Sequence, residues 1–257
     1  MLVVLLVGML DSLFEIFAVV VGFCVGSFAN VVICRLPRGE SVVSPSSFCP
    51  DCRARLKWRD MIPVISWIFL KGRCRYCKAA ISGRYPIIET ACAALFVLTT
   101  RFLEADIVIL PLWCLVFVLL CVAVVDWDAM EIPDGLLVVG AMAGLIWIWL
   151  VPNSPGWLDV LLGVAAGALP LLLLDRLVWI IAKKPGFGLG DTKLMAMAGL
   201  FLGWQGMPAA YFIAFVSGGL YGIALLITKK AERGDYIAFG PFLCLGILSA
   251  IFIISIQ

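Results

Sequence analysis

The chain has 257 residues, 63% of them hydrophobic and 14% charged, with a formal net charge of +2. A mean hydropathy of +1.11 excludes a soluble domain of this size and points to a bundle of transmembrane helices. Histidine is absent, which removes Ser-His-Asp and Cys-His hydrolases, His-ligated zinc enzymes and H-E-x-x-H proteases together.

In chain order, Met1–Leu10 is apolar but lacks the basic flank and small-residue cleavage site of a signal peptide, and it could lie in the membrane interface. Apolar runs then predict membrane helices over 14–34, 87–103, 107–125, 135–151, 157–182, 192–203, 206–228 and 238–256. The sixth is short and rich in Gly and Met, so it is expected to be half-inserted or covered by its neighbours. The expected fold is an all-α polytopic membrane protein of about eight transmembrane helices with a small zinc-ribbon-like cytoplasmic loop. It divides into a first transmembrane segment (1–34), a four-cysteine zinc-binding loop (35–86) and a helical bundle (87–257).

Within the loop, Cys49-Pro-Asp-Cys52 and Cys74-Arg-Tyr-Cys77 form two CxxC pairs separated by 21 residues. Each pair can offer two thiolates to one tetrahedral ion, so Cys49, Cys52, Cys74 and Cys77 are expected to hold structural zinc, with no position open for catalysis. A disulfide staple or a redox pair is the alternative, and a cytoplasmic location argues against stable disulfides. Cys24, Cys34, Cys92, Cys114, Cys121 and Cys244 lie in or at the ends of apolar helices and are expected to be small buried hydrophobes.

Two polar segments interrupt the later helices, Asp126-Trp-Asp-Ala-Met-Glu-Ile-Pro-Asp134 and Gly188-Leu-Gly-Asp191. Ionisable groups at membrane depth are costly and mark functional sites. Asp126 and Asp191 are the expected acid/base pair, able to share one proton and direct a water at a peptide carbonyl. Gly188 and Gly190 are expected to let backbone approach closely beside the carboxylate. Helix ends alone would favour the anion at Asp191 and the protonated form at Asp126. Asp191 could instead be only an N-cap, Asp134 reads as the cap of the next helix, and Asp128 is the local rival of Asp126. Asp175 and Arg176 are expected to form a compensated pair or to line the cavity. Lys193 could tune Asp191 or bind a phospholipid headgroup.

Charge then sets the topology. Of the 19 basic residues, 11 lie between Arg35 and Arg84, against Glu40, Asp51 and Asp60. The positive-inside rule places that loop in the cytoplasm. Counting spans puts 101–106, 152–156 and 204–206 outside, and 126–134, 183–191 and 229–237 inside with Lys183, Lys184, Lys229, Lys230 and Arg233. Both aspartate segments are therefore expected at the cytoplasmic face.

These residues resemble the type IV prepilin peptidases, membrane aspartyl proteases of the GxGD class. The resemblance runs through Gly26-Ser-Phe-Ala-Asn-Val-Val-Ile-Cys-Arg-Leu-Pro37, the two CxxC pairs, Ile62-Pro-Val-Ile-Ser-Trp67 and Ile81-Ser-Gly-Arg-Tyr-Pro86. Asp126 with Ile132-Pro133, Gly188-Leu-Gly-Asp-Thr-Lys193 and Phe239-Gly-Pro-Phe242 complete the order. It implies that Asp126 and Asp191 are catalytic, with Gly188, Gly190 and Lys193 in the active-site loop. It further implies prepilin or pseudopilin substrates of pilus or type II secretion systems, cleaved after a glycine at the end of a basic leader. The new N-terminal residue, usually phenylalanine, would be methylated from S-adenosylmethionine at a bacterial inner membrane.

No GxGxxG fingerprint in a strand–helix setting marks a cofactor site. Gly26, Asn30, Arg35 and Glu89 match the family's N-terminal pattern, yet each has a structural explanation: close helix packing for Gly26, an interhelical hydrogen bond for Asn30, a first-turn charge for Glu89. Competing functions are a peptidase without methyl transfer, an ion-coupled transporter with a zinc-bound regulatory loop, and a presenilin-like protease with another substrate. The expected partners are the substrate and the phospholipid membrane, with no nucleic acid.

Overall fold

The computed structural model describes residues 2–102, 109–150, 156–183, 186–230 and 236–255. Among these there are eight α-helices and no strand, only isolated bridges at Phe48–Arg55 and Arg73–Ala80. The helices are α1 (Leu2–Arg35), α2 (Ile65–Phe69), α3 (Arg84–Phe102), α4 (Leu110–Ala129), α5 (Asp134–Leu150), α6 (Trp157–Ala182), α7 (Leu189–Ile227) and α8 (Gly240–Ser255). Four are long and apolar enough to cross a membrane, over Ser12–Arg38, Leu110–Ala129, Trp157–Ile181 and Leu189–Ile227. The helices at Asp134–Leu150 and Gly240–Ile254 are apolar but shorter. Lys184, Arg233, most of the turn at 101–106 and 152–155 from the charge argument fall outside the described residues.

The chain forms two compact units, Met1–Ala105 and Asp106–Gln257. In the first, α1 continues unbroken from Leu2 through the segment considered for the interface. It packs on α3 through small residues: a Cβ on Gly26 would stand 2.7 Å from Glu89 Cα. Asn30 Nδ2 donates across this seam to the Tyr85 carbonyl at 3.2 Å, the interhelical bond its sequence position suggested. Glu89 lies in the second turn of α3 rather than the first, and it accepts from the Val64 N–H at 2.7 Å.

The second unit is built around α4, whose Leu115, Val118, Leu119, Cys121 and Val122 are fully buried. α5 and α8 flank α4, and α6 and α8 flank α7. The predicted sixth and seventh helices follow one another directly within α7, divided by non-helical backbone at Gly203 (φ 59°, ψ −175°). The chain doubles back there, because Met195 before the break and Tyr211 after it both meet Gly167 of α6: Gly167 packs on the Met195 carbonyl, and the Tyr211 hydroxyl donates to the Gly167 carbonyl. Only glycine suits that positive φ. The expected turn at 204–206 is thus helical, and the reversal is a single residue. A Cβ on Gly163 would stand 2.7 Å from the Gly203 carbonyl carbon, so α6 closes on the break itself.

Candidate active site

Asp126 lies in the last turn of α4, inside the helix rather than after it, and is 6% exposed. The helix ends at Met130 in the left-handed region (φ 53°), whose N–H returns to the Asp126 carbonyl at 2.8 Å. The side chain points across to α8, where Asp126 Oδ2 accepts the Gly240 N–H at 2.8 Å. A Cβ on Gly240 would come within 2.7 Å of that oxygen, so glycine is required. The carboxylate therefore meets the N-terminus of α8, which stabilises an anion. The helix-end argument from sequence considered only α4 and omitted this opposing helix end.

Asp191 sits in the first turn of α7, three residues after the cap position, and its Oδ2 accepts the Gly188 N–H at 3.2 Å. It is half-buried, and Asp126 is near enough for the two charges to interact. Both carboxylates line one cavity of about 460 Å³, together with Met130, Phe187, Tyr236 and Phe239 among others. Two carboxylates facing one space can share a proton and hold a water between them.

The loop before α7 is held from behind. Gly190 packs on Ile132, where a Cβ would lie 2.9 Å from the Ile132 Cβ, so the Ile-Pro segment that follows Asp126 backs the loop that carries Asp191. Gly188 has ordinary extended backbone and a Cβ there would meet Asp191 Oδ2 at 3.4 Å and the Gly190 nitrogen at 3.8 Å, both ordinary contacts, so its bareness keeps the cavity open rather than permitting close packing. Asp175 Oδ1 accepts the N–H groups of Gly186 and Phe187 at 2.8 and 3.2 Å. The Arg176 charge also acts on Asp175, but its direct hydrogen bonds go to the loop, so Asp175 is a clamp on it. Phe187 in turn packs against Phe239 and Phe215, with ring centroids 5.4 and 6.1 Å away.

Lys193 does not reach Asp191. Its Nζ pairs with Asp134 Oδ1 at 2.7 Å, an exposed bridge between α5 and α7. Asp128 is exposed and does not line the cavity.

The four loop cysteines converge, with their sulfurs all within 4.8 Å of one another. Cys49 Sγ and Cys77 Sγ stand 3.8 Å apart, and four sulfurs each about 2.3 Å from one zinc ion would be separated by about 3.8 Å. The two CxxC turns are copies of one another. The bridges Phe48–Arg55 and Arg73–Ala80 enclose them at the same offsets, and Arg53 and Lys78 occupy the same left-handed position (φ 60° and 64°). Backbone N–H groups of Cys77 and Tyr76 point at the Cys74 sulfur and hold its thiol down at about 7. The donor set and spacing fit a tetrahedral metal ion.

Residues 20–102 match the family model for the bacterial peptidase A24 N-terminal domain, and 113–223 match that of the type IV leader peptidase family. Curated relatives named prepilin leader peptidase/N-methyltransferase include one from Stutzerimonas stutzeri, 34% identical over 263 residues, covering 90% of this chain and 88% of its own. The chain belongs to the type IV leader peptidase family. A relative of the same name from Klebsiella pneumoniae is 38% identical over 199 residues, covering 75% of this chain and 87% of its own. The one from Myxococcus xanthus is 36% identical over 221 residues, 86% of this chain, and this chain spans 66% of its length. No solved structure matches.

Of the family's motifs, Phe239-Gly-Pro-Phe242 acquires a physical role here, since its glycine supplies the N–H that fixes Asp126. Gly240 and Asp175 were not singled out from sequence as site residues. Gly240 had a signal in that motif, whereas Asp175 looked like half of a pair with its neighbour Arg176. Arg35 donates to the Ser41 carbonyl at 3.0 Å and so fixes the start of the loop. Of the other cysteines, Cys92, Cys121 and Cys244 are buried as expected, but Cys24 and Cys34 of α1 are exposed.

Proposed function

We propose that this chain is a membrane aspartyl endopeptidase that removes the leader of prepilins or pseudopilins and methylates the new N-terminus. The observation that carries the peptidase half is the convergence of Asp126 and Asp191 on one cavity. One carboxyl group holds a proton while the other, as carboxylate, takes a proton from a water between them. The water oxygen bonds to the scissile carbonyl carbon, and the protonated partner gives its proton to the carbonyl oxygen. Collapse of the tetrahedral intermediate breaks the C–N bond: the proton taken from water passes to the leaving amine, and one hydroxyl proton of the intermediate returns to the other carboxylate. The Gly240 N–H orients Asp126, and the Asp175 clamp fixes the loop whose bare Gly188 leaves room for an extended strand.

The basic loop supports a cytoplasmic placement of both aspartates at a bacterial inner membrane. Cys49, Cys52, Cys74 and Cys77 hold zinc as an architectural ion, which supplies the loop with a fixed centre in place of a hydrophobic core. S-adenosylmethionine supplies the methyl group.

The test is the intact mass of a prepilin incubated with the purified protein and S-adenosylmethionine. Loss of the leader plus gain of one methyl group is expected. Loss of the leader alone would leave an aspartyl peptidase without methyl transfer, and an unchanged mass would remove the substrate assignment.

A further inference from the structure

The four-cysteine loop exposes large apolar side chains where a water-soluble loop would present polar ones. Trp58 is 76% exposed, Phe69 82%, Ile68 60%, Ile65 51% and Met61 41%. They are not scattered. Ile65, Ile68 and Phe69 follow an i, i+3, i+4 spacing and share one face of α2. Trp58 comes from the 3-10 turn Trp58–Asp60, which packs against α2, and Met61 caps that turn.

The opposite face of α2 is committed to the loop. Trp67 Nε1 donates to the Ile81 carbonyl at 3.1 Å, and its ring lies against Gly72, where a Cβ would stand 3.0 Å away. The Asp60 carboxylate accepts from Arg75 and Tyr76 of the second CxxC turn, and its side chain is only 2% exposed. The apolar face is thus rigidly joined to the cysteine cluster.

Its position relative to α3 is also fixed. Val64, the residue before α2, donates its N–H to Glu89 Oε2 at 2.7 Å. Glu89 is 7% exposed and lies five residues into α3, about 7.5 Å along its axis. A buried carboxylate in the second turn of α3 therefore pins the start of α2.

Charge selects the occupant. Lys57, Arg59 and Lys71 flank the apolar face and are exposed, while the one acidic residue between them, Asp60, is turned inward. Tryptophan and phenylalanine bordered by lysine and arginine are the composition of interfacial membrane anchors, and each basic residue is drawn to anionic lipid. We infer that the Trp58–Phe69 segment is a membrane-interfacial anchor that seats the cysteine loop on the headgroups of an anionic phospholipid bilayer. The basic surface thereby faces lipid instead of standing free in water. This inference is independent of the peptidase assignment.

The test uses the full chain in nanodiscs with and without phosphatidylglycerol. The emission of Trp58 is obtained as the difference between wild type and Trp58→Phe. A second reporter, Phe69→Trp placed in the Trp58→Phe chain, reads the other end of the segment. Zinc content of each variant checks that the loop is folded. Both reporters are expected to emit at short wavelength, to lose intensity with lipids brominated near the glycerol end of the chains, and to do so more strongly with phosphatidylglycerol. Long-wavelength emission, quenched by aqueous iodide and unaffected by brominated lipid, would overturn the inference. Shielding seen in native membranes but absent from nanodiscs would also overturn it, since the cover would then be another protein.

Discussion

Gly240→Ala changes one methyl group and is expected to act directly on Asp126. The added Cβ would stand 2.7 Å from Asp126 Oδ2 and 2.9 Å from its Cγ. Asp126 is buried within α4 and Gly240 begins α8, so relief requires the carboxylate and the helix end to separate. That separation breaks the 2.8 Å bond from the Gly240 N–H. A hydrogen bond to a charged group contributes roughly 1.5–3 kcal/mol, which corresponds to about ten- to 150-fold in rate. The assay is leader release from a purified prepilin, with kcat and KM measured separately and thermal unfolding followed in parallel. A loss confined to kcat, with the folded fraction unchanged, is expected. Activity within roughly twofold of wild type, less than about 0.5 kcal/mol, would refute the role given to this contact.

Asp175→Ala releases the Gly186 and Phe187 N–H groups and should lower kcat/KM about tenfold, the equivalent of one modest hydrogen bond. Asp175→Asn keeps a carbonyl acceptor and should restore most of it, whereas equal loss in both would point to charge instead. Gly190→Val would drive its side chain into Ile132 and should reduce cleavage more than Gly188→Ala, whose methyl makes only ordinary contacts; the reverse order in a leader-release assay would contradict the loop description. Because the carboxyl pair works with one proton, leader cleavage should follow a bell-shaped pH profile, falling at low pH when both are protonated and at high pH when both are ionised. A flat rate across the acidic and neutral range would count against it. Zinc analysis should give one ion per chain, and Cys52→Ser should make 36–83 sensitive to protease; an unchanged digestion pattern would show that the loop does not depend on metal.

Sequence periodicity located the apolar helices, because most are long and bounded by polar residues or proline, though those at Asp134–Leu150 and Gly240–Ile254 are shorter. It also divided α7 at the right place, since the expected helix end at 203 is where Gly203 leaves helical backbone. Only the connecting loop was misplaced, because a single glycine makes the reversal and 204–206 are helical. The aspartates and cysteines were legible because charge in an apolar run and paired CxxC spacing are rare patterns with few structural explanations. Their supports were not. Asp175 sits beside Arg176 in sequence, and neighbouring opposite charges suggest a pair, yet on a helix adjacent residues do not face each other. Lys193, two residues after Asp191, pairs with Asp134 across to α5 for the same geometric reason. The Gly240–Asp126 contact joins residues 114 positions apart, a separation that no local pattern carries.

The central claim is that Asp126 and Asp191 act as one catalytic unit. It is tested most directly by leader release from a prepilin by Asp126→Asn, Asp191→Asn and the double variant, with Asp128→Asn as the control and folding verified for each. Each single substitution should abolish cleavage, and the double variant should be no worse than either, as expected for residues that work as a unit. Asp128→Asn should cleave as wild type does. Substantial turnover by either Asp126→Asn or Asp191→Asn, or loss in Asp128→Asn instead, would contradict the account.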